Sequence, residues 1–133
     1  MARRNRRAAQ KLAVALSRAG LAGLGGAVFP TGIKVAATLR RRMRMRMVIV
    51  NGAECEPYIS CDDMLMRERA AEIVQGAEML RFVLDASEVL YGVEDNKPEA
   101  VAALRQAIRD GGLAHEAVAI PTVYPGGSAK QLI

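Results

Sequence analysis

Three short apolar runs, separated by helix-length stretches, constrain this chain more than any other feature. Met47-Val48-Ile49-Val50 is β-branched and too short for a helix, so it predicts a buried strand. A long helix is expected next, capped by Asp62 or Asp63 and running to about Leu84, with Leu65, Ile73, Ala77, Leu80 and Leu84 on one face. Ser87 to Val93 predicts a second strand. Lys97 to Asp110 predicts a second helix, with Pro98 in its first turn and Gly111-Gly112 stopping it. Ala117 to Pro121 predicts a third strand. Strand, helix, strand, helix, strand in this order implies a parallel sheet with right-handed crossovers. Such sheets bind ligands beyond the carboxyl ends of their strands. That directs attention to Asn51–Ser60, Glu94–Lys97 and Thr122–Gly127.

Upstream lies Gly23-Leu24-Gly25-Gly26-Ala27-Val28-Phe29-Pro30-Thr31-Gly32-Ile33-Lys34. Glycines expose backbone amides and accept unusual φ, and bare amides beside a helix N-terminus suit an anion such as phosphate. Lys34, one turn into the helix that Pro30 or Thr31 opens, can reach the same anion. The competing reading is a tight turn with no ligand. The helix is expected from Thr31 to Leu39, with Ile33, Ala36 and Ala37 facing inward. Before the loop, Leu12, Ala15, Leu16 and Ala19 predict an amphipathic helix over Ala8–Ala19, ended by Gly20. The whole is read as α/β: a Rossmann-like three-layer domain with a short parallel βαβαβ sheet, preceded by the Gly-rich loop and its helix. Residues 1–18 form a basic N-terminal segment and 19–133 the domain proper.

Charge is divided sharply. The residues before Asn51 include twelve Lys and Arg and no acid, whereas from Asn51 onward seven basic residues face fourteen acidic ones. The basic half suits a lipid surface, nucleic acid or an acidic partner, or is a solvated tail and loop. Its oddest part is Arg40-Arg41-Arg42-Met43-Arg44-Met45-Arg46-Met47, read as the lead-in to the first strand. No apolar run is long enough to span a bilayer. Cys55 and Cys61 lack the spacing of a metal knuckle, and no metal is expected.

Among the acidic loops, Glu54 and Glu56 flank Cys55. Carboxylates repel phosphate but accept hydrogen bonds from ribose hydroxyls, ring N–H groups or a carboxamide. Asn51 offers both donor and acceptor. Tyr58 and Phe29 suit stacking on a planar ring, and Phe29 suits a core position equally.

Asn51-Gly52-Ala53-Glu54-Cys55-Glu56-Pro57-Tyr58, together with the glycine stretch, resembles the C subunit of the Rnf electron-transport complex. That family shares this core with the flavin-bearing, NADH-binding subunit of respiratory complex I. The likeness runs from about Ala19 to Ile133. It includes Cys61-Asp62-Asp63, Leu65 to Ala70, Glu94-Asp95-Asn96-Lys97-Pro98-Glu99-Ala100, Tyr124-Pro125-Gly126-Gly127 and Lys130-Gln131-Leu132-Ile133. The resemblance implies that Gly23, Gly25, Gly26, Lys34, Asn51 and Glu54 contact FMN. It places Glu56 near the nicotinamide of NADH, Phe29 near the dinucleotide and Glu94 at the flavin pocket. Ala53 stands where the complex I type carries an aspartate, which removes one flavin contact. No residue is expected to act as a catalytic acid or base.

The resemblance also implies a larger protein. The family continues into a further flavin-pocket loop, a ubiquitin-like insert and a ferredoxin-like part with 4Fe–4S clusters. None of these is in the sequence, so a fragment is expected, binding FMN weakly or not at all and inactive alone. Partners would be other subunits of an Rnf-type NADH:ferredoxin oxidoreductase on the cytoplasmic face of the inner membrane, with membrane association indirect and no nucleic acid. The alternative reading is a small basic RNA- or anionic-lipid-binding domain with a vestigial nucleotide site.

Overall fold

The computed structural model describes residues 3–23, 28–40, 47–54 and 60–122. The elements in chain order are α1 (Arg3–Arg18), α2 (Thr31–Arg40), β1 (Met47–Gly52), α3 (Cys61–Glu68), α4 (Ala70–Leu84), β2 (Glu88–Glu94), α5 (Pro98–Asp110) and β3 (His115–Ile120). The chain divides into two compact units. One comprises Met1–Arg46 with Phe82–Ala86, the other Met47–Arg81 with Ser87–Ile133.

In the first unit, α1 packs on α2 through small residues. Ala9 and Ala13 are buried, whereas Ala15 and Ala19, expected to face inward, are exposed. On α2 the buried residues are Gly32 and Val35, and Ile33 and Ala37 are exposed. The expected inward face of α2 is therefore corrected, and the reason is close approach: a Cβ on Gly32 would lie 2.8 Å from the Ala13 carbonyl oxygen. Where a backbone sits on the helix, glycine and alanine take the contact and larger side chains splay outward. Gly20, with φ +65°, closes α1 as expected. Its N–H reaches the Ser17 carbonyl and that of Leu21 reaches Leu16, the paired bonds of a Schellman cap.

The second unit is the parallel α/β layer. The sheet order is β1-β2-β3, all parallel, with Val50 opposite Tyr91 and Tyr91 opposite Ala117. Alternation on β2 sends Val89, Tyr91 and Val93 into the core. Met66 of α3, Ala70, Val74 and Ala77 of α4, and Ala100, Val101, Leu104 and Ile108 of α5 meet them. A second Schellman cap ends α5: Gly112 has φ +60°, and the Leu113 N–H reaches the Ile108 carbonyl.

Three expectations are corrected here. β1 is an edge strand whose Met47 and Ile49 are more than a third exposed, so it is half-buried. The single helix from Asp62 to Leu84 is two helices, parted at Arg69, whose φ of −126° leaves the helical range. Its inward face is Met66, Ala70, Val74 and Ala77, and Leu65 is exposed. The N-cap of α3 is Ser60 and makes no side-chain cap, so neither Asp62 nor Asp63 caps it. Among the described residues, no helix is long and apolar enough to cross a membrane.

Candidate functional site

The carboxyl ends of β1 and β2 and the start of α5 bring three charged side chains together. The Lys97 ammonium donates to Glu54 Oε2 at 2.6 Å and lies 3.3 Å from Glu94 Oε2. The side chains of Glu54, Glu94 and Lys97 are 4, 7 and 14% exposed. Local structure holds each in place. Glu94 is the last residue of β2, and its carbonyl accepts the Lys97 N–H at 3.0 Å in the turn that opens α5. Glu54 follows β1 by two residues, beyond a closely packed glycine: a Cβ on Gly52 would sit 2.8 Å from Met66 Sδ and 3.1 Å from the Gly92 carbonyl oxygen.

Glu54 also supplies the cap that α3 lacks at its own N-terminus. Its Oε1 accepts the Asp62 N–H at 2.9 Å and the Cys61 thiol at 3.5 Å. Burial pushes the Glu54 carboxyl up, but bonds from Lys97, the Asp62 amide and Cys61 outweigh it and hold the group below its ordinary value. Burial likewise pulls Lys97 down, and Glu54 and then Glu94 raise it above the usual lysine value. The Glu54 bond pushes the exposed Cys61 thiol up, which disfavours a reactive thiolate. Oxygen or sulfur atoms of Glu54, Cys61 and Asp62 lie within 4.8 Å of one another. Both Glu54 oxygens accept hydrogen bonds, and those on Oε1 cap the start of α3.

Asn51, at the end of β1, accepts the Ala53 N–H on Oδ1 at 3.0 Å and so shapes the turn leading to Glu54. Beyond β3, Thr122 donates to Asp95 Oδ1 from its hydroxyl at 2.7 Å and its amide at 3.2 Å, and the Asp95 N–H reaches the Ile120 carbonyl. Two strand-end loops are thereby tied together.

In the first unit, the glycine loop is pinched at its base. Ala22 bridges Pro30, and the Gly23 N–H donates to the Phe29 carbonyl at 2.9 Å. Phe29 is 53% exposed, which removes the core reading and leaves its ring open to a partner. Lys34 is exposed on the first turn of α2. The structure thus assembles Asn51, Glu54 and Glu94 in the second unit, and Gly23, Phe29 and Lys34 in the first. Gly25, Gly26 and Glu56 lie outside the described residues, as does the arginine-rich stretch 41–46. Lys97 was missed by sequence reasoning. Its only signal was a lysine next to a proline at a helix start, three residues after an acidic strand end.

Residues 16–133 match the family described as the Nuo51 FMN-binding domain. The chain belongs to that family. Among curated relatives, the chain is 54% identical over 124 residues to the C subunit of the ion-translocating oxidoreductase complex of Actinobacillus succinogenes, covering 93% of the chain and 17% of the relative. The corresponding C subunit of Pasteurella multocida is also 54% identical, with 93 and 14% covered. That of Pseudomonas aeruginosa is 53% identical, with 86 and 14% covered. The chain therefore spans about a sixth of the length of these relatives. Among solved structures, the air-oxidized NAD+-reducing NiFe-hydrogenase matches with a TM-score of 0.76 at 22% identity, over 90% of this chain and 22% of that one. The likeness establishes that the Nuo51-type domain here has the α/β fold expected of its sequence.

Proposed function

We propose that the chain is the nucleotide-holding part of the C subunit in an Rnf-type complex, where it binds FMN and NADH for electron transfer. The observation that carries this is the family match over residues 16–133, read with the polar cluster at the strand ends. Each unit carries groups whose chemistry suits a part of the cofactor. Exposed Lys34 and the glycines Gly23, Gly25 and Gly26 suit its phosphate. Asn51 and the buried carboxylate of Glu94 suit N–H and O–H groups of a ring or ribose, and the carboxylate repels phosphate. Glu56 and Phe29 are assigned to NADH.

When bound, FMN would take hydride from NADH and release single electrons, chemistry that belongs to the cofactors. The residues of this chain orient the rings, neutralise the phosphate and keep the carboxylates charged. None needs to move a proton. Iron–sulfur centres belong to the full-length C subunit, and the chain would lie peripherally on the cytoplasmic face of the inner membrane, held there through partner subunits. The alternative reading, RNA or anionic lipid held by arginines, has no relative or described contact in its favour.

Titration of FMN with the chain, read as quenching of flavin fluorescence, tests the proposal. Weak but saturable quenching is expected, and Gly25→Val should abolish it, because a branched side chain fills the space the phosphate needs. Unchanged affinity in Gly25→Val would refute the assignment.

A further inference from the structure

The two carboxylates around Lys97 use their oxygens differently. Glu54 is held on both oxygens: Oε2 accepts Lys97, and Oε1 accepts the Asp62 amide and the Cys61 thiol. Glu94 places Oε2 near Lys97, while its other oxygen accepts no hydrogen bond from the described residues. No side-chain oxygen or nitrogen in the described residues is sealed from solvent without a partner, so that oxygen keeps some contact with solvent. We propose that Lys97 is a positioning residue: anchored by Glu54, it fixes Glu94 as an acceptor whose open oxygen takes a hydrogen bond from an N–H or O–H group of the bound nucleotide. Glu54 is then a strut that joins the starts of α3 and α5, rather than a direct ligand contact. The inference rests on the FMN-binding reading above and assigns roles within it.

The physical reason is the cost of a buried negative pair. An ammonium within 3.3 Å of both carboxylates offsets their burial and mutual repulsion. Around it stand Glu54 from the β1 loop, Cys61 and Asp62 from α3, and Glu94 from the end of β2. All except the thiol are acids, so without Lys97 no cation faces the pair among the described residues. One carboxyl would then take up a proton as the pH falls.

The test uses the full chain, with FMN as the probe and Lys97→Met and Lys97→Arg as variants. Lys97→Met should weaken FMN binding about tenfold, the loss of one charged hydrogen bond. The ratio of the Lys97→Met to the wild-type dissociation constant should grow from about pH 8 to about pH 6, whereas that of Lys97→Arg stays level. In the ligand-free chain, the Glu54 carboxyl carbon, followed by NMR, should titrate at higher pH in Lys97→Met than in wild type, because the Lys97 bond that holds it down is gone. A folded Lys97→Met with wild-type FMN affinity at both pH values would overturn the inference, as would an arginine variant that loses as much as methionine. Glu94→Gln gives a second route, since Lys97 keeps its Glu54 partner. It should lose FMN affinity about tenfold with no fall in thermal midpoint, and unchanged affinity would count against the role. A wild-type chain that quenches no FMN fluorescence would instead sink the FMN reading, while the Glu54 titration would still report on the clamp.

Discussion

Single residues decide the geometry where backbones approach or reverse. Gly112 and Gly32 illustrate two different reasons for glycine. Gly112 has φ +60° and open space around an added Cβ, so only its conformation is at stake. Gly112→Ala should lower stability by about 1 kcal/mol. Gly32 lacks unusual φ but lies against Ala13, so Gly32→Ala should cost about 1–3 kcal/mol through steric overlap in the α1–α2 pair. Urea denaturation followed by circular dichroism compares the two, and an equal or absent loss at Gly32 would contradict the packing account. At this scale the sequence was partly legible. The glycine stops after α1 and α5 follow from local backbone chemistry, which a sequence carries. Lys97 was not legible, because its partners lie 43 residues upstream and three residues upstream, and only the fold brings the distant one near.

At the scale of elements, hydrogen bonds and ion pairs tie helices to strands. Tyr91 of β2 meets His115 of β3 through its hydroxyl and Nδ1 at 3.0 Å. His115 Nε2 lies 2.9 Å from Glu78 of α4, which Arg81 holds with two bonds of 2.6 and 2.7 Å. The Arg81 bonds are the largest influence on Glu78. They outweigh burial and, with His115, bring its carboxyl from 4.5 to about 2. Because the folded value is depressed, the stabilisation is fully present above the unfolded value and is lost as pH falls toward about 2. Glu54, also depressed, adds to the loss in the same direction. The urea midpoint should therefore fall between about pH 5 and about pH 3, and less so in Glu78→Gln, which starts lower. A midpoint that is level across that range would contradict the linkage. The strands and the α5 helix were readable from β-branched runs and from Pro98 and Gly111-Gly112. The break at Arg69 was not, since neither Gly nor Pro marks it. The cap of α3 was not either, since Glu54 reaches it from eight residues upstream.

At the scale of the whole molecule, the sheet order decides where polar side chains gather. Parallel strands in the order β1-β2-β3 direct their carboxyl ends, and the polar residues that follow them, to one rim of the second unit. The pattern of alternating strands and helices was enough to anticipate that rim. It could not anticipate the division of labour on it, in which one acid is spent on caps and a lysine while another keeps an oxygen open. The basic first half and the acidic second half pull toward different ligands, and salt separates them. Nucleic acid or lipid held by arginines weakens steeply as salt rises, whereas a stacked and hydrogen-bonded flavin changes far less. FMN titration of the chain at about 50 mM and about 200 mM salt is thus the most direct measurement. The account predicts saturable quenching at both, with dissociation constants within about threefold of each other. Absence of saturable quenching, or RNA retained by the chain and released by the same rise in salt, would contradict it.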